Sequence, residues 1–149
     1  MDAEGRAADI VNAWRDAWNA SDMDALMALF ADDSHWVNVV GMHWQGKRAV
    51  EHAHRAYFDL MFRGVEQRLE AVESVVTLPG GVLVVVARWW MASFREPDGA
   101  TKPEHRNRMT IVIAPVGAEA RDLIVHGMNV TIDEYAQQFD PARALDVAA

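Results

Sequence analysis

The sequence predicts an α+β fold in which three N-terminal helices pack on a mainly antiparallel sheet. Three observations predict it. Up to about residue 62, apolar residues recur at helical spacing. From Val65 onward, runs rich in Val, Ile and Trp are separated by turns that carry Gly and Pro. The helices precede the strands, which argues against the alternating pattern of a parallel, dinucleotide-binding sheet.

The first helix is expected over Glu4–Asn19, where Ile10, Val11, Trp14 and Trp18 share one face. Ser21, with Asp24 three residues on, has the form of a helix cap, and Leu26, Leu29 and Phe30 supply the buried side of a short second helix. It is expected to stop before Asp32 and Asp33. His35–Val40 reads as a strand, and Gly41 and Gly46 bracket a tight connection containing Trp44. The third helix is expected over Lys47–Phe62, stopped by Gly64, with a stripe of Val50, His54, Tyr57, Phe58 and Met61. Strands are expected over Val65–Leu78, Val82–Phe94, His105–Ile113 and Leu123–Ile132. Pro79-Gly80-Gly81 is a turn, Glu96–Pro103 a polar loop, Pro115–Asp122 a connection, and Asp133–Ala149 a loosely helical or frayed tail.

A chain of 149 residues is expected to form one domain, 1–149. Its 51% hydrophobic content is enough for a sizeable core. Fourteen basic residues stand against 22 acidic ones, net −8, with no basic run, so neither nucleic acid nor an anionic membrane surface is an expected partner. With no cysteine, disulfides, thiolate metal sites and cysteine nucleophiles are excluded. The N-terminus lacks the basic start and apolar run of a signal peptide, and no stretch reaches the ~18 apolar residues of a membrane span, so a cytoplasmic location is expected. Val82–Ala87 is apolar without interruption, and Met109–Ile113 is apolar on both faces. A strand wet on one side should alternate, so a second copy of the chain is expected to cover the outer sheet face as a homodimer.

No glycine fingerprint, P-loop or nucleophile elbow is present, and no cofactor is expected. His52 and His54 are two apart on a helix and cannot share a metal; no metal is expected. The candidate chemistry lies in isolated polar groups at otherwise apolar positions. His54 is a candidate acid or base near neutral pH, or else a core histidine satisfied by one hydrogen bond. Asn38 shares a strand face with Trp36, and Asn129 a face with Leu123, Val125 and Gly127. Either asparagine could orient a ligand carbonyl or bond neighbouring backbone. Arg88, Arg106 and Arg108 are either anchors for an acidic group or solvated edge charges, and Asp32 and Asp33 either a carboxylate pair or a solvated helix end. The tryptophans suit a pocket lining as well as a core. The candidate ligand-binding set comprises Trp14, Trp18, Trp36, Phe58, Phe62 and Trp90, with Asn38, Arg108 and Asn129 as its polar members, and His54 is the candidate catalytic residue.

Leu29-Phe30-Ala31-Asp32-Asp33, then Trp36-Val37-Asn38-Val39-Val40-Gly41, then Trp44, Gly46, Val50, His54 and finally Asn129 together resemble the NTF2-like superfamily. The likeness spans roughly Ala7 to Ile132, leaving 133–149 as a C-terminal tail. Its most specific element is Gly41-x-x-Trp44-x-Gly46 with His54 eight residues on. Specifically, the chain is similar to the SnoaL-like branch and to the SgcJ/EcaC-type proteins encoded in enediyne polyketide antibiotic clusters. The resemblance implies a conical α+β barrel with a deep pocket, dimerising through the outer face of the sheet. It further implies an accessory protein of polyketide or enediyne biosynthesis that binds an apolar, unsaturated small molecule. Such a protein either promotes a cofactor-independent cyclisation, isomerisation or dehydration, or only shields an intermediate or docks a polyketide biosynthetic enzyme. SnoaL-like cyclases use a pocket aspartate as acid/base, and no aspartate of this sequence can be assigned that place.

Overall fold

The computed structural model describes residues 1–146. Asp2 opens helix α1 (Ala3–Asn19), its carboxylate accepting from the Gly5 N–H at 2.8 Å and satisfying a donor the helix itself leaves unpaired. Ala7, Ile10, Val11, Trp14, Ala17 and Trp18 form its buried side. Helix α2 (Met23–Met27) is shorter than expected and is capped by Asp22 rather than Ser21; Ser21 lies in the link at φ 53°. Phe30, expected on that helix, instead begins strand β1 (Phe30–Val37). Asp32 and Asp33 therefore do not end a helix. They are exposed on β1, where its pairing with the last strand is irregular between Phe30 and His35.

Strand β2 (His43–Gln45) folds back on β1, and Gly46, at φ 89°, turns the chain into helix α3 (Lys47–Tyr57). A side chain is strained at that angle, which accounts for the glycine. The helix continues as one π-helical turn over Phe58–Phe62, closed by the Arg63 N–H donating to the Phe58 carbonyl at 3.0 Å. Such turns are rare and recur at functional sites. Here the turn starts from the buried Phe58 and ends with Phe62 at the edge of a cavity.

Strand β3 (Gln67–Leu78) leads through a short 3₁₀ turn, Pro79–Gly81, into β4 (Val82–Met91). The expected long strand ends at Met91. Phe94 belongs to a separate hairpin, β5 (Phe94–Arg95) and β6 (Thr101–Lys102), which occupies much of the expected loop. Strands β7 (His105–Val116) and β8 (Arg121–Thr131) complete the sheet. Two short helices follow, α4 (Glu134–Gln137) and α5 (Arg143–Asp146), and residues 147–149 of the expected tail lie outside the described residues.

The main sheet has the order β2-β1-β8-β7-β4-β3, antiparallel throughout except for the parallel pair β1 and β8. The edge strands β2 and β3 do not meet. The fold is α+β with helices on a curved sheet, and the sheet is open rather than closed into the expected conical barrel. Helix α1 packs across β3 and β4, and α3 packs on β1 and β2. Arg6 ties the start of α1 to the start of β8 and to the β3–β4 turn, donating to both carboxylate oxygens of Asp122 at 2.8 and 2.7 Å and to the Gly81 carbonyl at 2.7 Å.

Strand β4 shows how the sheet divides. Leu83, Val85, Ala87, Trp89 and Met91 are buried on the concave side, while Val82, Val84, Val86, Arg88 and Trp90 are half-buried on the convex side. The convex side carries an apolar row across the strands, Val76, Val84 and Val112, and a second with Val86, Thr110 and Met128. Val76 is 50% exposed and Val130, beside Arg108, 49% exposed.

Candidate functional site: an aromatic cavity on the concave face

A cavity of about 220 Å³ lies between the helices and the concave face of the sheet. Its floor is Trp36, whose indole lies flat on Gly127, its neighbour across β1 and β8. A Cβ at Gly127 would collide with the ring carbons of Trp36, so this glycine is required by close approach. Trp14 stacks on Trp36 with centroids 5.1 Å apart and planes 15° from parallel, and Trp18 continues the stack at 6.4 Å. The period of α1 sets Trp14 and Trp18 one turn apart on its buried side.

His54 sits among these rings, 7% exposed, with Trp14, Trp36 and Trp44 edge-on to it at 6.1, 5.9 and 5.6 Å. Nδ1 lies 2.8 Å from the Val50 carbonyl, which can only accept, so Nδ1 carries the hydrogen and Nε2 is the ring's acceptor. Burial pushes the imidazole pKa down to about 4, partly offset by that hydrogen bond, so the ring is neutral at pH 7. Among the described residues, no carboxylate or amide bonds it.

Four carboxamides also line the cavity: Asn38, Gln67, Asn107 and Asn129. Asn38 Oδ1 accepts from the Val40 and Met42 N–H groups at 3.2 and 2.8 Å and so holds the turn after β1. Gln67 Oε1 accepts from the Trp14 indole at 3.4 Å. Asn107 is 1% exposed; its NH2 donates weakly to Met91 Sδ at 3.9 Å, and its oxygen is buried without a partner. The Asn129 oxygen is likewise buried and unpaired. The rim is formed by Val39, Val40, Phe94, Glu96, Lys102 and His105.

Of the candidate ligand-binding and catalytic set, Trp14, Trp18, Trp36, Asn38, His54, Phe62 and Asn129 meet at this cavity. The other three do not. Phe58 lies behind the wall, edge-on to Trp18 at 4.5 Å and 1% exposed, on the same buried stripe as Val50 and His54. Trp90 points to the convex face, where the Arg68 guanidinium lies 4.3 Å over its ring. Arg108 is also convex and pairs with Glu73 at 2.6 Å; Glu73 also takes Arg88, and Glu70 takes Arg88 and Arg106. Glu70 and Glu73 are held below the usual carboxylate range, chiefly by their hydrogen bonds from Arg106 and Arg108.

Gln67 and Asn107 were missed. Asn107 alternates with Arg106 and Arg108 and so shares a face with the buried Met109, Ile111 and Ile113; the period of two carried that signal. His35 and His43, on neighbouring strands, meet across β1 and β2 at 3.0 Å. Among the described residues, no three His, Asp or Glu side chains are grouped to hold a metal ion, and no helix is long and apolar enough to cross a membrane.

An open, curved sheet with helices over its concave side and a cavity between them defines the architecture of the NTF2-like proteins. The SnoaL-like domain model matches residues 11–120, and the chain belongs to that family. A protein of Caulobacter vibrioides with a cystatin-like fold is 27% identical, with a TM-score of 0.88 over 97% of this chain and 99% of that one. An NTF2-like superfamily protein from Salmonella enterica serovar Typhimurium LT2 superposes with a TM-score of 0.73 at 16% identity, covering 89% and 92% of the two chains. A ketosteroid isomerase-like protein from Erwinia carotovora atroseptica does so at 0.69 and 13% identity, covering 84% and 92%. A comparison with curated proteins found no match.

Proposed function

We propose that this chain binds an apolar, unsaturated small molecule between the tryptophans of the concave cavity and shields it from water. The observation that carries the reading is the setting of His54: a neutral imidazole whose hydrogen-bond partner is its own helix, walled by three indoles. A base built for turnover is normally oriented by a second polar group and tuned toward the working pH. His54 is oriented only by a backbone carbonyl of its own helix and is tuned away from neutral pH, which favours binding over chemistry. An enclosed apolar cavity of roughly 150 Å³ takes benzene, so about 220 Å³ suits a ligand of about two fused rings. The SnoaL-like membership extends this reading to an accessory role in polyketide or enediyne biosynthesis, in which the ligand is a pathway intermediate. A convex face with a self-paired arginine–glutamate ladder beside exposed valines supports a homodimer through that face; sedimentation should give twice the 16.7 kDa chain mass.

A second reading is cofactor-independent proton transfer, as in an isomerase or cyclase. Its support is the fixed tautomer, which leaves Nε2 as an acceptor beside the cavity. His54→Phe separates the two. On the binding reading the variant folds, with stability changed by less than about 1 kcal/mol, and still binds bicyclic aromatics. Loss of solvent-deuterium exchange at a ligand carbon in this variant, with affinity retained, would establish the proton-transfer reading instead.

A further inference from the structure

The hairpin of β1 and β2 brings two histidines together on the side away from the cavity. Trp36 and Trp44 pair across the two strands and line the cavity, so by alternation their neighbours His35 and His43 share the opposite face. Eight residues apart in the chain, the two rings lie 5.0 Å apart between centroids, with His35 Nδ1 3.0 Å from His43 Nε2. Two imidazole nitrogens, each about 2.0–2.1 Å from one ion, are about 3.3 Å apart in a tetrahedral shell and about 2.9 Å apart as neighbours in a square or octahedral one. The observed 3.0 Å falls within that range, so a hydrogen bond and a chelate need nearly the same ring positions. A neutral imidazole carries one hydrogen. With that hydrogen on the outer nitrogen, Nε2 of His35 and Nδ1 of His43, both lone pairs turn inward and no proton is lost. His43 is exposed and His35 half-buried, so an ion and its waters have access. His126, paired with His35 across β1 and β8, stands 6.4 Å from it ring to ring, and no third His, Asp or Glu among the described residues completes the group.

From this geometry we infer that His35 and His43 form an open two-histidine site for a divalent transition ion of the Zn²⁺, Ni²⁺ or Cu²⁺ type, with water in the remaining positions. Imidazole suits these ions, whereas Mg²⁺ and Ca²⁺ take oxygen ligands. The net charge of −8 draws cations toward the chain. The ion joins β1 to the three-residue edge strand β2. It thereby holds the turn between them, where Val39 and Val40 form part of the cavity rim. Neither histidine lines the cavity, so the inference stands apart from the ligand-binding reading.

The test is calorimetric titration of the untagged protein with zinc chloride near neutral pH, with magnesium chloride as the control. Zinc is expected to bind and magnesium not to. His43→Gln alters an exposed residue of an edge strand and is expected to fold. It should weaken zinc binding by at least about tenfold, since removing even a supporting partner of a metal ligand costs that much. His126→Ala should leave zinc affinity unchanged. Zinc should slow amide hydrogen exchange across residues 38–45. It should also raise the thermal midpoint of the unaltered protein but not that of His43→Gln, because an ion that binds only the folded chain stabilises it. Absence of zinc binding overturns the inference. So does equal zinc affinity in His43→Gln, which would mark an adventitious ion only. Loss of binding in His126→Ala, or protection confined to another part of the chain, overturns the assignment to His35 and His43.

Discussion

Trp89 and Trp90 are adjacent in sequence and face opposite ways. Trp89 is buried on the concave side of β4 beside Asn107; Trp90 lies on the convex side under Arg68. The two faces treat polarity differently. On the convex face Glu70 and Glu73 are matched by Arg88, Arg106 and Arg108, so little hydrogen-bonding capacity is left over. On the concave face the Asn107 and Asn129 oxygens and the Trp89 indole are buried without partners. Buried polar groups in folded proteins are nearly always paired. A cluster of exceptions, together with an aromatic cavity, marks where the molecule is incomplete on its own. The convex face is complete except for its valines.

The strongest way to break this contrast is to push Trp36 off its seat. Gly127→Ala should clash with the indole and cost roughly 1–3 kcal/mol, the usual range for overpacking. Because the displaced ring enters the cavity, ligand affinity should fall with stability, which chemical denaturation and calorimetry would measure together. Unchanged stability and affinity would mean that Trp36 does not form the floor.

Acid should separate the faces next. His54 has its pKa lowered to about 4, against about 6.5 when unfolded, so the unfolded chain binds the proton more readily. The stability associated with its neutral form is complete above pH 6.5 and is lost as pH falls toward 4. About 2 kcal/mol should be gone by pH 5. His54→Phe should lose that part of the pH dependence, and denaturant unfolding of both proteins at pH 7 and pH 5 would measure the difference. If both lose stability in parallel over this interval, His54 titrates normally and is not buried as described.

The smallest effect belongs to the convex face. Arg108→Ala breaks a half-exposed ion pair and should cost under about 1 kcal/mol. Ligand affinity should not change, since Arg108 does not line the cavity. A large affinity loss, read by the same calorimetric titration, would put the ligand on the convex face.

The α+β class and most elements were legible because helical and strand periods are strong signals in long runs, as in α1 and in the strands from β3 onward. The errors arose where a tertiary partner overrode local pattern. Phe30 continues the apolar stripe of α2, but pairing with β8 draws it into β1. Phe58 continues the stripe of α3 into the core as expected, but its ring packs against Trp18 behind the cavity wall. Closure of the sheet depends on whether β2 and β3 meet, and no local period encodes that. Within the site, His54, Asn38 and Asn129 stood out as polar groups in apolar runs. Asn107 was obscured by the arginines on either side of it. Gln67 opens a strand of mixed polarity and carries no comparable signal.

The central claim, that the concave face is the ligand site, can be tested by observing the six indole N–H resonances in one NMR titration. With naphthalene added, the resonances of Trp14, Trp18, Trp36 and Trp44 should shift together and saturate with one affinity, while that of Trp90 stays fixed. A saturating shift at Trp90 with the four cavity indoles unmoved would contradict the account.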